Sequence, residues 1–136
     1  MDMEDDIMEK TILIKLSGES LSGSIGHGLD FEYIKKICME IKKVHDKGTR
    51  IGIVCGGGNF LRGRDAHEMD RETADYVGMM ATVMNCIYMS EICRSVGLMT
   101  QVLTPFSCGS FTKLFSKDRV NKYLGKGMVV FFAGGT

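Results

Sequence analysis

The chain has 136 residues, enough for one hydrophobic core, and its 44% hydrophobic and 25% charged content is that of an ordinary soluble globular domain. Lys plus Arg and Asp plus Glu stand at 17 each, so no excess charge draws in a nucleic acid, and no basic stripe with interleaved aromatics occurs. Five cysteines without a C-x-x-C pair, and no run of eighteen apolar residues, read as reduced thiols in a cytoplasmic protein without a membrane span.

Residues 1–10 are acidic and lack the positive flank and apolar core of a secretory signal; they predict a disordered terminus. Thr11–Leu16 is an apolar run broken only by Lys15 and predicts a central strand. Ser17–Gly28, rich in glycine and serine, predicts a phosphate turn and then a mobile loop. Asp30 stands as a cap before Ile34, Ile37, Cys38, Ile41 and Val44, which recur at helical spacing up to Gly48. Lys35, Lys36, Lys42 and Lys43 fall between them and predict a solvated face. Arg50–Cys55 is a second strand, ended by Gly56–Gly57–Gly58, and Phe60–Arg71 is polar enough for a loop or short helix. A helix from about Thr73 to Val96 follows, apolar almost all round, which predicts burial between layers or against another subunit. Leu98–Leu103 reads as a third strand, Lys117–Leu124 as a helix and Met128–Phe132 as a fourth strand. Ala133–Gly134–Gly135–Thr136 is then a third glycine turn. The alternation predicts an α/β fold, a mostly parallel sheet with helices on both faces.

Glycines at a strand end let backbone N–H groups approach a phosphate closely, and two such turns at one sheet edge could hold two phosphorylated groups face to face. The triple glycine is neither a P-loop, since Arg64 and Asp65 follow Gly63, nor a dinucleotide fingerprint, since Leu61 takes the third glycine's place. A lysine near the end of a buried strand must reach the edge or meet an anion; for Lys15 the plain alternative is an ion pair with Glu19. Arg62 has a similar choice between an anion and Asp65 or Glu68. Asp75 opens the apolar helix as read here, either as a dipole-favoured start or as an acceptor for the vicinal hydroxyls of a ribose. His27, His45 and His67 are scattered without metal-ligand spacing, Ser17 has no triad partners, and the methionines read as core filling.

The stretches I-L-I-K-L-S-G-E-S-L at 12–21, G-G-G-N-F-L-R-G at 56–63, D-Y-V-G-M-M-A-T-V-M-N at 75–85 and G-K-G-M-V-V-F-F-A-G-G-T at 125–136 resemble the bacterial uridylate (UMP) kinases of the amino acid kinase superfamily. The resemblance implies an α/β/α sandwich and phosphoryl transfer from ATP, carried with Mg²⁺, to UMP in pyrimidine nucleotide synthesis. It implies that Lys15, Leu16, Ser17, Gly18, Gly58 and Arg62 serve ATP, with Lys15 and Arg62 catalytic. Gly57, Asp75 and Thr136 would serve UMP. The loop Gly23, Ser24, Ile25, Gly26, His27 and Gly28 matches a region associated with GTP activation, GTP and UTP being the implied effectors. The long helix implies a homo-oligomer, hexameric in the family. Residues 11–136 correspond to the N-terminal, acceptor-side half of such kinases, without the nucleotide-binding half, so the chain by itself is expected to be inactive. The alternatives are a sister kinase with a carboxylate or carbamate acceptor, and a non-catalytic nucleotide-binding or subunit-interaction module.

Overall fold

A computed structural model describes residues 10–61 and 67–135. In chain order its elements are β1 (Thr11–Leu16), α1 (Gly18–Leu21), α2 (Phe31–His45), β2 (Arg50–Cys55), α3 (Arg71–Ser95), β3 (Thr100–Thr104), β4 (Lys113–Leu114), α4 (Lys117–Gly125) and β5 (Val129–Phe132). The five strands form one sheet in the order β1-β2-β5-β3-β4, and every pairing is parallel. The connections β1–α2–β2 and β2–α3–β3 advance in one direction along the sheet, and β4–α4–β5 runs back. Right-handed crossovers therefore put α2 and α3 on one face and α4 on the other.

Pairing register sorts the strand residues by face. Ile12 pairs with Ile51, Ile53 with Phe131 and Val102 with Phe131, so these side chains share the α2/α3 face and enter the core cluster with Ile34, Cys38, Val83 and Met89. Leu13, Lys15, Val54, Leu103, Val130 and Phe132 take the opposite parity. Val130 and Leu103 are fully buried there, at the end of the sheet where α4 packs on β5, whereas Leu13 at the β1 end is 66% exposed.

Local chemistry accounts for the element ends. Asp30 accepts the Tyr33 N–H at 3.2 Å and caps α2, while Gly48 takes the left-handed φ of 95° that its stop requires. Lys42 and Lys43 make surface pairs with Asp46 and Glu40, as a solvated face should. The segment read as turn and loop after β1 instead opens with the helical turn α1, because Ser17 Oγ accepts the Ser20 N–H at 3.1 Å. β4 is an addition that no apolar run announces. Of the methionines, Met89 is core, but Met39, Met80, Met84 and Met99 are all about half exposed, contrary to their reading as filling. Tyr76, Val77, Met80 and Met84 form an exposed stripe on α3, so that helix is not buried all round in the single chain.

The covered face also holds a cluster of thiols. Cys93 Sγ donates to Cys38 Sγ at 2.9 Å, and Cys38 Sγ in turn approaches the Met89 carbonyl at 3.8 Å. The bond to Cys38 and then burial push the Cys93 thiol up; a bond to Cys86 and then burial do the same for Cys55.

Candidate functional site

All five strands run the same way, so their carboxyl ends meet at one edge. There a cavity of about 670 Å³ opens, floored by Gly56, Gly57 and Gly58 and flanked by Lys15 of β1 and by Asp75, Gly78 and Thr82 of α3. Its apolar wall comes from Val54, Leu103, Pro105, Phe115 and Phe132. Phe115 and Phe132 meet edge to face, with ring centroids 6.2 Å apart.

The first and second glycine turns touch directly. A Cβ on Gly18 would strike the Gly58 nitrogen, and one on Gly57 would lie 2.9 Å from Ala81 Cβ and 3.0 Å from the Gly78 carbonyl. Any larger residue at either place would force the turn away from its neighbour. Among the described residues, the N–H groups of Gly57 and Gly58 have no hydrogen-bond partner, although they line the cavity. Such free amides on a concave glycine turn are suited to an anion.

Lys15 is exposed, borders the cavity and makes no ion pair among the described residues, so the pairing with Glu19 is not formed. Asp75 also stands without a partner among them. The helix starts earlier than its apolar pattern suggests, at Arg71, and Asp70 performs the capping by accepting the Thr73 N–H at 3.3 Å. Asp75 therefore sits in the second turn, not at the start, and lines the cavity, while the helix end is served by Asp70.

The third glycine turn is tied in by Thr82, whose Oγ1 accepts the Gly134 N–H at 2.8 Å and donates to the Met79 carbonyl at 2.7 Å. Gly134 needs its φ of 87°, and a Cβ there would strike Pro105 at 2.8 Å.

Lys15, Gly57, Gly58 and Asp75 thus come together. Leu16, Ser17 and Gly18 do not line the cavity: Leu16 packs on the core, Ser17 caps α1, and Gly18 lies beneath Gly58. None of residues 23–28 borders it either; Gly28 joins it indirectly through Asn59. Arg62 and Thr136 lie outside the described residues. Thr82, Phe115 and the buried pair Asn59 and Asn85 were not singled out from the sequence. For Thr82 and Asn85 the signal was faint but present, a polar side chain in an otherwise apolar stretch, whereas Asn59 directly follows three glycines and gave none. Among the described residues no three His, Cys, Asp or Glu gather as a metal site, and Asp75 is the one carboxylate in the cavity wall. Among them, too, no helix is long and apolar enough to cross a membrane.

The model of the amino acid kinase family matches residues 10–136. The solved structure of UMP kinase from Bacillus anthracis superposes with a TM-score of 0.88 at 32% identity, covering 93% of this chain and 53% of that one. UMP kinase from Ureaplasma parvum gives 0.87 at 34% identity, over 94% of this chain and 57% of its own. The chain therefore spans little more than half the length of these two enzymes. Aspartate kinase from Synechocystis matches at 0.64 and 16% identity, over 90% of this chain and 21% of that one, a likeness of fold alone.

Proposed function

This chain belongs to the amino acid kinase family, and we propose that within it the protein is a UMP kinase, transferring the γ-phosphoryl group of ATP to UMP. The observation that carries the reading is the pairing, in one cavity, of a glycine floor and the carboxylate of Asp75, with the Gly57 and Gly58 amides and that carboxylate all unpartnered among the described residues. A nucleoside monophosphate presents the complement: a dianionic phosphate for Gly57 and its neighbours, and a vicinal diol for Asp75. A carboxylate accepting from both hydroxyls makes charge-assisted hydrogen bonds, which exceed neutral ones in strength. The two solved UMP kinases matched over almost the whole chain support the same choice.

In the proposed reaction an oxygen of the UMP phosphate attacks the γ-phosphorus, a P–O bond forms, and the bond to the β-phosphate oxygen breaks to release ADP. No proton has to be removed from a phosphate dianion, so the protein's task is positioning and charge. Lys15, at the end of β1 beside the floor, offers its ammonium to the charge on the group in transit. Arg62 and Gly58 are assigned to the ATP side and Thr136 to UMP by the motif resemblance. The donor set of the cavity, one carboxylate, suits a Mg²⁺ carried on the nucleotide's own phosphates better than one caged by protein. When bound, that ion neutralises phosphate charge. The exposed stripe Tyr76, Val77, Met80 and Met84 supports assembly with further copies.

A two-part experiment tests the proposal. Calorimetric titration should give binding of UMP well above that of uridine, and in a version extended to the full length of the matched UMP kinases an acceptor panel with ATP and Mg²⁺ should yield UDP in preference to phosphorylated aspartate, glutamate or carbamate. Turnover of a carboxylate or carbamate in place of UMP would make the protein a sister kinase. UMP binding without turnover in that extended version would make it a nucleotide-binding module.

A further inference from the structure

Asn85 is fully buried in the middle of α3, and Asn59, directly after the glycine floor, is 4% exposed. Their amides face each other reciprocally: Asn59 Nδ2 donates to Asn85 Oδ1 at 3.0 Å, and Asn85 Nδ2 donates to Asn59 Oδ1 at 2.8 Å. The remaining hydrogen of each amide goes to a glycine carbonyl. Asn85 Nδ2 donates to Gly56 O at 2.7 Å, and Asn59 Nδ2 donates to Gly28 O at 2.8 Å. Every donor of the pair is thereby used, which is what a buried polar network requires.

The hydrogen bond to Gly56 O has a geometric consequence. The peptide between Gly56 and Gly57 is planar and trans, so its C=O and N–H point in opposite directions. With the carbonyl held by α3, the Gly57 N–H is turned to the other side, where it is left without a partner among the described residues. A glycine turn without such a hold could rotate this peptide at little cost, since glycine has the widest choice of φ and ψ. Gly28 is fastened to the same pair twice over, because its own N–H donates to the Asn59 carbonyl at 3.0 Å.

We propose that Asn85, supported by Asn59, is a positioning residue for the acceptor phosphate: it fixes the plane of the Gly56–Gly57 peptide and so aims the Gly57 N–H at a phosphate oxygen. This inference rests on the reading of the cavity as a nucleoside monophosphate site. It assigns the pair a part in discriminating phosphorylated from unphosphorylated ligand, beyond filling the core.

The test compares UMP, uridine and inorganic phosphate by titration calorimetry, with melting midpoints, for wild type, Asn85→Ala and the double variant Asn59→Leu/Asn85→Leu. Removing both buried amides together avoids stranding one of them and leaves only the Gly56 and Gly28 carbonyls without these donors, so the double variant should lose less stability than a variant that strands an amide as well. The expected result is a roughly tenfold or greater loss of UMP affinity, the weight of one charge-assisted hydrogen bond, with uridine affinity unchanged. A purely structural role predicts instead that UMP affinity returns with stability in the double variant; that result, or an unchanged preference for UMP over uridine, overturns the proposal. Asn85→Ala, whose small side chain leaves room for water, makes the same comparison if the double variant does not fold. A wild type that binds phosphate but shows no preference for UMP over phosphate alone removes the UMP reading, and the phosphate titrations then decide the clamp. A wild type that binds no phosphate-bearing ligand above uridine removes the clamp as well.

Discussion

The two faces of the sheet are made from alternate residues of the same strands, yet they do different work. One face buries Ile51, Ile53, Val129 and Phe131 completely beneath α2 and α3. At the β1 end of the other, Leu13 is largely exposed and Lys15 stands beside the glycine floor without an ion pair among the described residues. An ammonium with the parity of Ile14 would be driven into the core, where an unpaired charge is prohibitive; one residue later it reaches solvent and the cavity. Parity along a strand six residues long thus separates stability from chemistry.

Substitutions can break or sharpen that separation. The largest effect is expected for Phe131→Ala on the covered face, a loss of about 3–5 kcal/mol in urea unfolding, the range for an aromatic truncated in a packed core. A loss below about 1 kcal/mol would mean that this face does not hold the fold. In a version extended to the full length of the matched UMP kinases, Lys15→Ala should behave oppositely, lowering kcat roughly 100-fold while the melting midpoint and UMP affinity stay close to the unsubstituted protein. Equal turnover in the variant would leave Lys15 as a strand residue that merely reaches water. For Asp75→Asn in the same extended version the expected change is a loss of about 1.5 kcal/mol in UMP binding, read by calorimetry, with ATP affinity and stability spared. A lower melting midpoint with intact UMP binding would return Asp75 to a helix-dipole role.

The thiols of the covered face add a dependence on pH. Cys55 and Cys93 are held protonated in the fold by their bonds to Cys86 and Cys38 and by burial, so their folded pKa values lie above the unfolded one. Their contribution is present in full below the ordinary thiol range. It drains away as pH rises past about 8.5, because only the unfolded chain then releases the protons. Denaturant midpoints should therefore fall in alkali, with a slope of up to about 1.4 kcal/mol per pH unit for each thiol. A Cys55→Ser variant with the same alkaline slope would exclude this origin. The smallest effect is expected at Leu13→Thr on the open face, within about 0.5 kcal/mol of wild type by the same unfolding assay.

Much of this was legible in the sequence. Thr11–Leu16 and Arg50–Cys55 are strands as their apolar runs predict, and the long helix, the last strand and the parallel sheet with helices on both faces follow from the alternation. α1 and β4 were not, since a four-residue helix after Ser17 carries the same signal as a turn, and two residues cannot display a period. The meeting of the glycine turns, with Lys15, at one edge was foreseeable from parallel strands, whereas Asp75's place beside them was implied by the motif resemblance. The Asn59–Asn85 pair was not, because the match between two amides 26 residues apart is a property of packing and leaves no spacing to read. The same holds for Thr82 and Gly134, which meet across 52 positions.

The sheet's strand order also governs how the chain can fold. β5, the last of these strands in sequence, lies between β2 and β3, so Ile53 waits for Phe131 before its outer edge is paired. Synthesis delivers β1 and β2 early, and they can join each other, but the centre of the sheet cannot close until residues 129–132 have emerged. Every strand pairing except β3–β4 spans a long loop of chain, the arrangement that slows folding most. Until then the outer edge of β2 and one flank of β3 stay open to wrong partners, so the nascent sheet passes through its most aggregation-prone stage just before its centre closes.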